Sequence, residues 1–354
     1  MTVQKTLMAM LIVGLVSACD RAPEGPEAPE SGPETVPGRT SQGNPMPVTP
    51  DAGVAEEEEP RAQTWTCPAN PGAAPSGELT AERIAATAGT REAPGLYEGP
   101  VWFENALYFS DFTFESGFPS QIQKYSPGAE MVTAIPESGS NGLTIGNDGY
   151  LLAATHDRKE LSRYNPYTGE RESVVGEFEG NVFNSPNDLA VTRDGTIYFT
   201  DPDFQRSAAP GGQPKTRVYR VQGDDVTVVD DTMYNPNGIA LSPNQNTLYV
   251  AGGGEQGTLR AYPLNNGEPG AGVDIAEVST PDGMAIDCAG NIYVTEHAAQ
   301  RVRVFSPQGE ELATIGTDAN VTNATFGGPG QRTLYITGAG TVWELELDIA
   351  GLPY

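Results

Sequence analysis

The chain has 354 residues, 30 prolines and a net charge of -27. So acidic a protein lacks the basic surface that would neutralise phosphates, which excludes nucleic acid as a partner. It contains two histidines and three cysteines. Neither a Gly-x-Ser-x-Gly nucleophile motif nor a His-Glu-x-x-His zinc motif occurs, which argues against serine hydrolases and zinc proteases.

The chain begins with a segment typical of a bacterial lipoprotein signal. A lone Lys5 precedes an apolar run over residues 7–16, which is too short to span a bilayer. Ala18 then precedes Cys19, so we expect residues 1–18 to be removed and Cys19 to carry lipid. An ordinary signal peptide with a coincidental cysteine is the alternative. The lipid would anchor the protein to a membrane of the bacterial cell envelope, periplasmic or surface-exposed.

Residues 19–64 are rich in proline and glutamate and contain no aromatic residue. Such a segment buries too little apolar surface to offset the entropy of ordering, so we expect an extended, disordered tether. A partner-binding tail is possible, but no specific motif supports it. The folded domain is then predicted to span residues 65–354.

Two cysteines, Cys67 and Cys288, remain once Cys19 is assigned to lipid. In an oxidising compartment leftover cysteines often pair. A disulfide would attach the start of the domain to a later turn, and two free thiols are the alternative. Their spacing does not fit a zinc site.

One unit of about 45 residues recurs six times in the predicted domain. Each copy has an apolar strand, a tight polar turn and a second strand rich in β-branched and aromatic residues. The copies begin at Glu98, Asn141, Asn187, Asn237, Asp282 and Asn323. Four antiparallel strands per unit predict an all-β, six-bladed propeller. The last copy lacks a strand, which we expect residues 82–86 to supply. A ring closed by this N-terminal strand leaves no open edge, so we expect a monomer.

All six leading residues carry a side-chain oxygen, and equivalent positions of a propeller converge on its axis. Carboxylate and amide oxygens suit a hard divalent cation, above all Ca²⁺. Asn-Gly and Asp-Gly pairs are also ordinary turn residues, so turn chemistry is the alternative interpretation. The repeat alone does not decide which of the six would bind a metal.

Four motifs occur in order and resemble those of the senescence marker protein/gluconolactonase/luciferin-regenerating family. They are Glu98-Gly-Pro-Val-Trp102, Asn184-Ser-Pro-Asn-Asp188 with Asp194-Gly-Thr-Ile-Tyr-Phe-Thr-Asp-Pro202, Pro236-Asn-Gly-Ile-Ala240, and Pro281-Asp-Gly-Met-Ala285. The resemblance covers about residues 90–347. It implies a six-bladed propeller with metal-dependent lactonase activity.

The resemblance also implies roles for individual residues. Glu98, Asn237 and Asp282 match the metal ligands of the family. Asn187 matches a residue near metal and substrate, which makes it the fourth candidate ligand. Asp282 matches the proposed general base as well.

Two positions depart from the animal members of the family. Ser185 stands where those members have an arginine, and no acidic residue is evident at the loop position around Gln205 that corresponds to their substrate-binding glutamate. Bacterial members with Asn-Ser-Pro-Asn share the first departure, so it questions sugar specificity more than activity. The predicted substrate contacts are Asn187, Ser185, Asn141, His156, His297 and Asp201.

The predicted reaction is therefore hydrolysis of a lactone. The cation would polarise the carbonyl, and Asp282 would accept a proton from the attacking water. Two alternatives remain: a non-catalytic propeller that binds a ligand beside a structural metal, and a related esterase or organophosphatase.

Overall fold

The computed structural model describes residues 60–61, 65–89 and 95–353. The predicted signal peptide, Cys19 and nearly all of the predicted tether lie outside these residues. Six antiparallel sheets follow one another along the described chain, each with four principal strands. The predicted six-bladed propeller is therefore confirmed. No helix in the described ranges is long and apolar enough to cross a membrane.

Two short strands precede the first blade, and the blades then follow in chain order. The early strands and blades 1 to 3 comprise β1 (Gly77–Thr80), β2 (Glu82–Arg83), β3 (Leu96–Phe103), β4 (Ala106–Phe112), β5 (Ser120–Tyr125), β6 (Val132–Ile135), β7 (Ser140–Ile145), β8 (Leu151–Thr155), β9 (Glu160–Tyr164), β10 (Arg171–Val175), the hairpin β11 (Glu177–Phe178) and β12 (Asn181–Val182), β13 (Leu189–Val191), β14 (Ile197–Asp201), β15 (Arg217–Gln222) and β16 (Asp225–Asp230).

Blades 4 to 6 continue the same order. They comprise β17 (Pro236–Leu241), β18 (Thr247–Gly252), β19 (Gly257–Asn265), β20 (Glu268–Pro269), β21 (Val273–Val278), β22 (Pro281–Ile286), β23 (Ile292–Glu296), β24 (Arg301–Phe305), β25 (Glu311–Gly316), β26 (Val321–Gly327), β27 (Thr333–Gly338) and β28 (Val342–Glu346). Four single-turn 3₁₀ helices lie between strands, at Ala85–Thr87, Arg206–Ala208, His297–Ala299 and Pro329–Gln331.

The N-terminal segment closes the ring. Strand β2 pairs antiparallel with β28, joining Glu82 to Glu344 and Arg83 to Trp343. The sixth blade therefore gains the strand that its own repeat lacks, as predicted. The rest of the predicted segment forms the 3₁₀ helix Ala85–Thr87. Strand β1 adds an unpredicted fifth strand to blade 5, parallel to β25.

The core of the described chain consists of six apolar clusters, each between two neighbouring blades. The second strand of each blade is fully buried on both faces, so it reads as a nearly continuous run of β-branched and aromatic residues. Hydroxyls on these strands also join the blades: Thr200 Oγ1 donates to Asn237 O, and Thr295 Oγ1 donates to Thr322 O, both at 2.6 Å.

Cys67 and Cys288 form a disulfide across a sequence separation of 221 residues. The bond attaches the start of the domain to the turn between β22 and β23. The backbone N–H of Cys288 also donates to Ala350 O at 2.8 Å, so both termini are held at the same turn. Constraining so long a loop in the unfolded chain is expected to stabilise the fold.

Candidate active site

The innermost strand of each blade carries the residue that heads its repeat. In five blades the pairing with the second strand slips at this point, as between Glu98 and Val101 or between Pro281 and Met284. Such a bulge leaves extra residues unpaired and redirects their side chains. The repeated Asn-Gly and Asp-Gly pairs therefore lie at strand bulges, not in hairpin turns.

Glycine follows four of the six leading residues because the blades approach each other closely there. A Cβ on Gly238 would lie 2.4 Å from Asp282 O, and one on Gly283 would lie 1.9 Å from Asn323 Cγ. Gly99 also has a positive φ of 52°, which favours glycine. Each of these glycines thus leaves room for the leading residue of the next blade.

Four predicted ligands meet at the base of one cavity of about 660 Å³, here called the site cavity. They are Glu98, Asn187, Asn237 and Asp282. Each is almost completely buried. The structure therefore brings together two carboxylates and two amides from four blades.

Burial dominates the electrostatics of this site. It raises the pKa of Glu98 well above its usual value, and the nearby charges of Asp282 and Asp188 raise it further. Burial also raises the pKa of Asp282, while hydrogen bonds from His297 and Asn237 oppose the rise. Negative charge at the base of the cavity is thus poorly compensated by the protein itself.

His297 lies beside Asp282. Its Nδ1 is 3.3 Å from Asp282 Oδ2 and donates a hydrogen bond to Val321 O at 2.8 Å. Its Nε2 accepts a hydrogen bond from Asn320 Nδ2 at 3.2 Å. The hydrogen bond to Asp282 raises the pKa of His297. The one Nδ1–H is shared between Val321 O and Asp282 Oδ2, so the imidazole lies against the carboxylate while it lines the same cavity.

Asp188 is a site residue that the sequence analysis did not identify. Its Oδ2 accepts a hydrogen bond from Asn323 Nδ2 at 3.1 Å, and burial raises its pKa to about 7. Both residues line a second axial cavity of about 410 Å³, here called the rear cavity. Asp188 follows Asn187 where other repeats have glycine, and this substitution was the available signal.

The rear cavity lies at the other end of the innermost strands, whose later residues form its wall. Trp65, Thr66, Leu352 and Pro353 line it as well. The start of the domain and the C-terminal segment, which meet near the Cys67–Cys288 disulfide, thus cover this end of the axis.

Two other predicted residues, Asp201 and Ser185, support the site from behind. Burial raises the pKa of Asp201 to about 7, and its carboxylate accepts the backbone N–H groups of Asn184 and Ser185 at 2.9 and 2.8 Å. Ser185 Oγ donates to Pro202 O at 2.8 Å. These bonds hold the loop that leads to Asn187. Neither Ser185 nor Asp201 lines the site cavity.

Asn141 and His156 are also buried without lining the site cavity. Asn141 Nδ2 is 3.5 Å from Gln205 Oε1, and its Oδ1 has no hydrogen-bond partner. His156 Nε2 donates to Phe118 O at 2.7 Å. The sequence analysis predicted substrate contacts for both His156 and His297, but only His297 lines the cavity. His156 lies behind the loop that carries Phe118 instead.

The donor set at the base fits a divalent cation. In the described part of the chain no three His, Cys, Asp or Glu side chains form a metal-binding group, so the amides of Asn187 and Asn237 must complete any coordination. Two carboxylates that oppose each other's ionisation, together with neutral amide oxygens, match the hard oxygen ligands that Ca²⁺ prefers. Soft metals would lack thiolate ligands here, and both ring nitrogens of His297 already have hydrogen-bond partners.

Fold and site together define a six-bladed propeller with a ring of oxygen-bearing side chains on its axis. Residues 96–340 match the family described as the SMP-30/Gluconolactonase/LRE-like region. The chain belongs to this family, which confirms the resemblance seen in its motifs.

Known proteins agree with this assignment. A gluconolactonase of Zymomonas mobilis is 33% identical over 285 residues, covering 72% of this chain and 79% of the relative. A solved gluconolactonase structure from Xanthomonas campestris is 26% identical with a TM-score of 0.66, covering 79% of this chain and 99% of that one. A calcium-binding protein, regucalcin, from Agrobacterium tumefaciens shares the fold at 20% identity and a TM-score of 0.62, covering 78% and 97% of the two chains.

Proposed function

We propose that the protein hydrolyses a lactone at a divalent metal ion, most suitably Ca²⁺, bound at the base of the site cavity. Glu98, Asn187, Asn237 and Asp282 are the proposed ligands. The observation that carries this proposal is the meeting of two buried carboxylates and two amides below one cavity. Relatives that are named gluconolactonases support lactone hydrolysis as the class of reaction.

Asp282 is the proposed general base. It accepts a proton from water while the water oxygen forms a bond to the lactone carbonyl carbon. The ring C–O bond then breaks, and Asp282 returns the proton to the leaving alkoxide, which gives a hydroxy acid. A bound cation would supply a Lewis acid for the carbonyl oxygen.

His297 is the residue best placed to orient this base. Its Nδ1 lies 3.3 Å from Asp282 Oδ2, and its ring is held by Val321 O and Asn320 Nδ2. The imidazole packed against Oδ2 restricts the orientation of the Asp282 carboxylate. His297 thus contributes by positioning Asp282.

The test is a pH-stat assay on gluconolactone and a panel of other lactones, with and without chelator. We expect turnover that chelator abolishes and Ca²⁺ restores. Asp282→Asn should lower kcat by about 10²–10⁴-fold, the usual contribution of a general base. Asp287→Asn is the matched control, because Asp287 is also buried but binds Asn291 and Tyr293 away from the cavity.

Three results would contradict this proposal in different ways. Bound Ca²⁺ without turnover of any lactone would favour a binding propeller with a structural metal. Turnover confined to aryl esters or organophosphates would favour a related esterase. Full activity in Asp282→Asn would reject Asp282 as the base.

We also propose that Cys19 carries lipid and that the propeller acts in the bacterial cell envelope as a monomer. The disulfide between Cys67 and Cys288 supports an oxidising compartment. Labelling cells with a palmitate analogue should mark the wild-type protein in the membrane fraction. A Cys19→Ser variant that is still labelled and membrane-bound would contradict the anchor.

A further inference from the structure

The site cavity has two chemically different walls. One wall is aromatic: Phe112, Phe114 and Phe118 come from the end of β4 and the loop after it, and Phe204 comes from the loop after β14. The other wall is polar and comes from blades 5 and 6, with Thr280, His297 and Asn320. The proposed metal ligands lie at the base between the two walls.

The aromatic wall is exposed to incoming molecules. Phe114 is 69% exposed and Phe204 is 44% exposed, which is unusual for phenylalanine in a chain whose other aromatic rings mostly lie in the core. Phe112 stands edge-on to Phe114 with ring centroids 5.8 Å apart. A ligand that covers these rings would remove apolar surface from water, which favours binding.

The loop that carries this wall is held in place from behind. His156 is fully buried, and burial lowers its pKa, so its ring is neutral. Its Nε2 donates to Phe118 O at 2.7 Å, and its ring packs edge-on against Phe112 and Phe118. The aromatic wall is thus a supported part of the site.

The charged side chains that line the cavity indicate which substrates it can bind. The titratable groups that line it are Glu98, Asp282 and His297, and no lysine or arginine lines it in the described chain. A substrate with a phosphate, sulfonate or free carboxylate would find no lysine or arginine side chain to pair with on either wall. Apart from Gln205 beside Phe204, the polar side chains of the cavity lie at its base and on the wall from blades 5 and 6.

We propose that the preferred substrates are uncharged lactones with an apolar alkyl or aryl substituent. This inference rests on the proposed lactonase function. The ester group lies at the base beside Asp282, and the substituent lies on Phe114 and Phe204. These two phenylalanines determine specificity by covering the part of the substrate that does not react.

The experiment uses the full chain loaded with Ca²⁺ and four δ-lactones with the same ring. They are δ-valerolactone, δ-octalactone, δ-decalactone and D-glucono-δ-lactone. We expect kcat/KM to rise by roughly tenfold or more from δ-valerolactone to δ-decalactone, as additional methylenes enter an apolar pocket. Gluconolactone, whose ring carries hydroxyls, should fall below δ-octalactone.

A double variant, Phe114→Ser with Phe204→Ser, assigns this preference to the aromatic wall. The ratio of kcat/KM for δ-decalactone to that for δ-valerolactone should fall by roughly fivefold or more. Val273→Ser is the matched control, since Val273 is 61% exposed on the outer strand β21 and does not line the cavity. It should keep the wild-type ratio.

Different outcomes would contradict the preference for apolar substituents and the lactonase function on which it rests. Hydrolysis of all four lactones with no gain from the alkyl chain, or with gluconolactone preferred, would overturn the inference and leave lactone hydrolysis intact. An unchanged ratio in the double variant would also overturn it. Failure to hydrolyse any lactone would overturn both.

Discussion

The two ends of the propeller axis are built from the same six strands but have different chemistry. The site cavity lies where the innermost strands begin and holds Glu98, Asp282 and His297 below an aromatic wall. The rear cavity lies where these strands end and is lined by apolar and polar side chains, by the start of the domain and by the C-terminal segment. Repetition therefore creates the channel, while the loops and termini make its two ends different.

Asp188 and Asn323 separate the two cavities. They hydrogen-bond to each other at 3.1 Å and line the rear cavity, although the charge of Asp188 still raises the pKa of Glu98. We thus assign metal binding and catalysis to the site cavity and a stabilising role to the rear end of the axis. Substitutions at either end can test this division.

The largest difference in activity is expected between two single substitutions, one of a proposed metal ligand and one of a residue that lines the rear cavity. Glu98→Gln should lose Ca²⁺ and reduce lactone turnover by at least about 100-fold, because a direct ligand should matter more than its supporting residues. Asp188→Asn should retain Ca²⁺ and most of the wild-type activity, because Asp188 lines the rear cavity and not the site cavity. Calorimetric Ca²⁺ titration and kcat/KM would check both. Loss of Ca²⁺ binding in Asp188→Asn alone would reverse the assignment.

Removing the disulfide should lower the stability of the protein without changing the chemistry of the site cavity. Replacing Cys67 and Cys288 together by serine should lower the free energy of unfolding by about 2–5 kcal/mol, since a long loop in the unfolded chain is released. Folded protein at low temperature should keep its kcat/KM. Urea denaturation with and without reductant measures the effect. If reduced wild-type protein lost Ca²⁺ while still folded, the two ends would not be independent.

A substitution at a point where two blades approach each other closely should cause a smaller loss of stability. Gly283→Ala places a Cβ 1.9 Å from Asn323 Cγ, so the Asn323 side chain must move from its position. Overpacking of this kind costs about 1–3 kcal/mol, and we expect weaker Ca²⁺ binding as well, because Asp282 is the adjacent residue. Gly176→Ala is the control, as its nearest contact would be an ordinary 3.6 Å. Equal stabilities would show that the glycine is not required for packing.

The last effect concerns the dependence of stability on pH. Burial raises the pKa of Asp188 and of Asp201 to about 7, whereas both ionise near pH 4 in the unfolded chain. The unfolded state therefore loses these protons first, and stability of the metal-free protein should fall as pH rises from about 4 to about 7. Urea midpoints in chelator at pH 5 and pH 8 would show this fall. Asp201→Asn should reduce the slope, and a wild-type midpoint that rises with pH would contradict the account.

The sequence predicted the fold well because a propeller repeats its local pattern. The apolar strands, their polar turns and the oxygen-bearing residue at the head of each unit recur in register. Even the missing strand of blade 6 was found from the segment containing Glu82. Strand β1 was missed because its pairing with β25 joins residues far apart in sequence, without a repeated pattern.

The site was less predictable because burial and loop geometry are not encoded by the repeat. His156 and His297 occupy similar positions after second strands, yet one supports the aromatic wall and the other touches Asp282. Phe114 and Phe204 lie in loops with no equivalent in other blades, so no pattern placed them together. Asp188 was overlooked because its neighbour Asn187 already accounted for the motif.

The most direct test of the account is a Ca²⁺ titration of chelator-stripped protein that follows bound metal and lactone turnover together. We predict that turnover is absent at the start and rises in proportion to occupancy, reaching its maximum at one Ca²⁺ per chain. The Glu98→Gln protein should show neither. Turnover that persists in the stripped protein, or a maximum reached without bound Ca²⁺, would contradict a metal-dependent lactonase at this site.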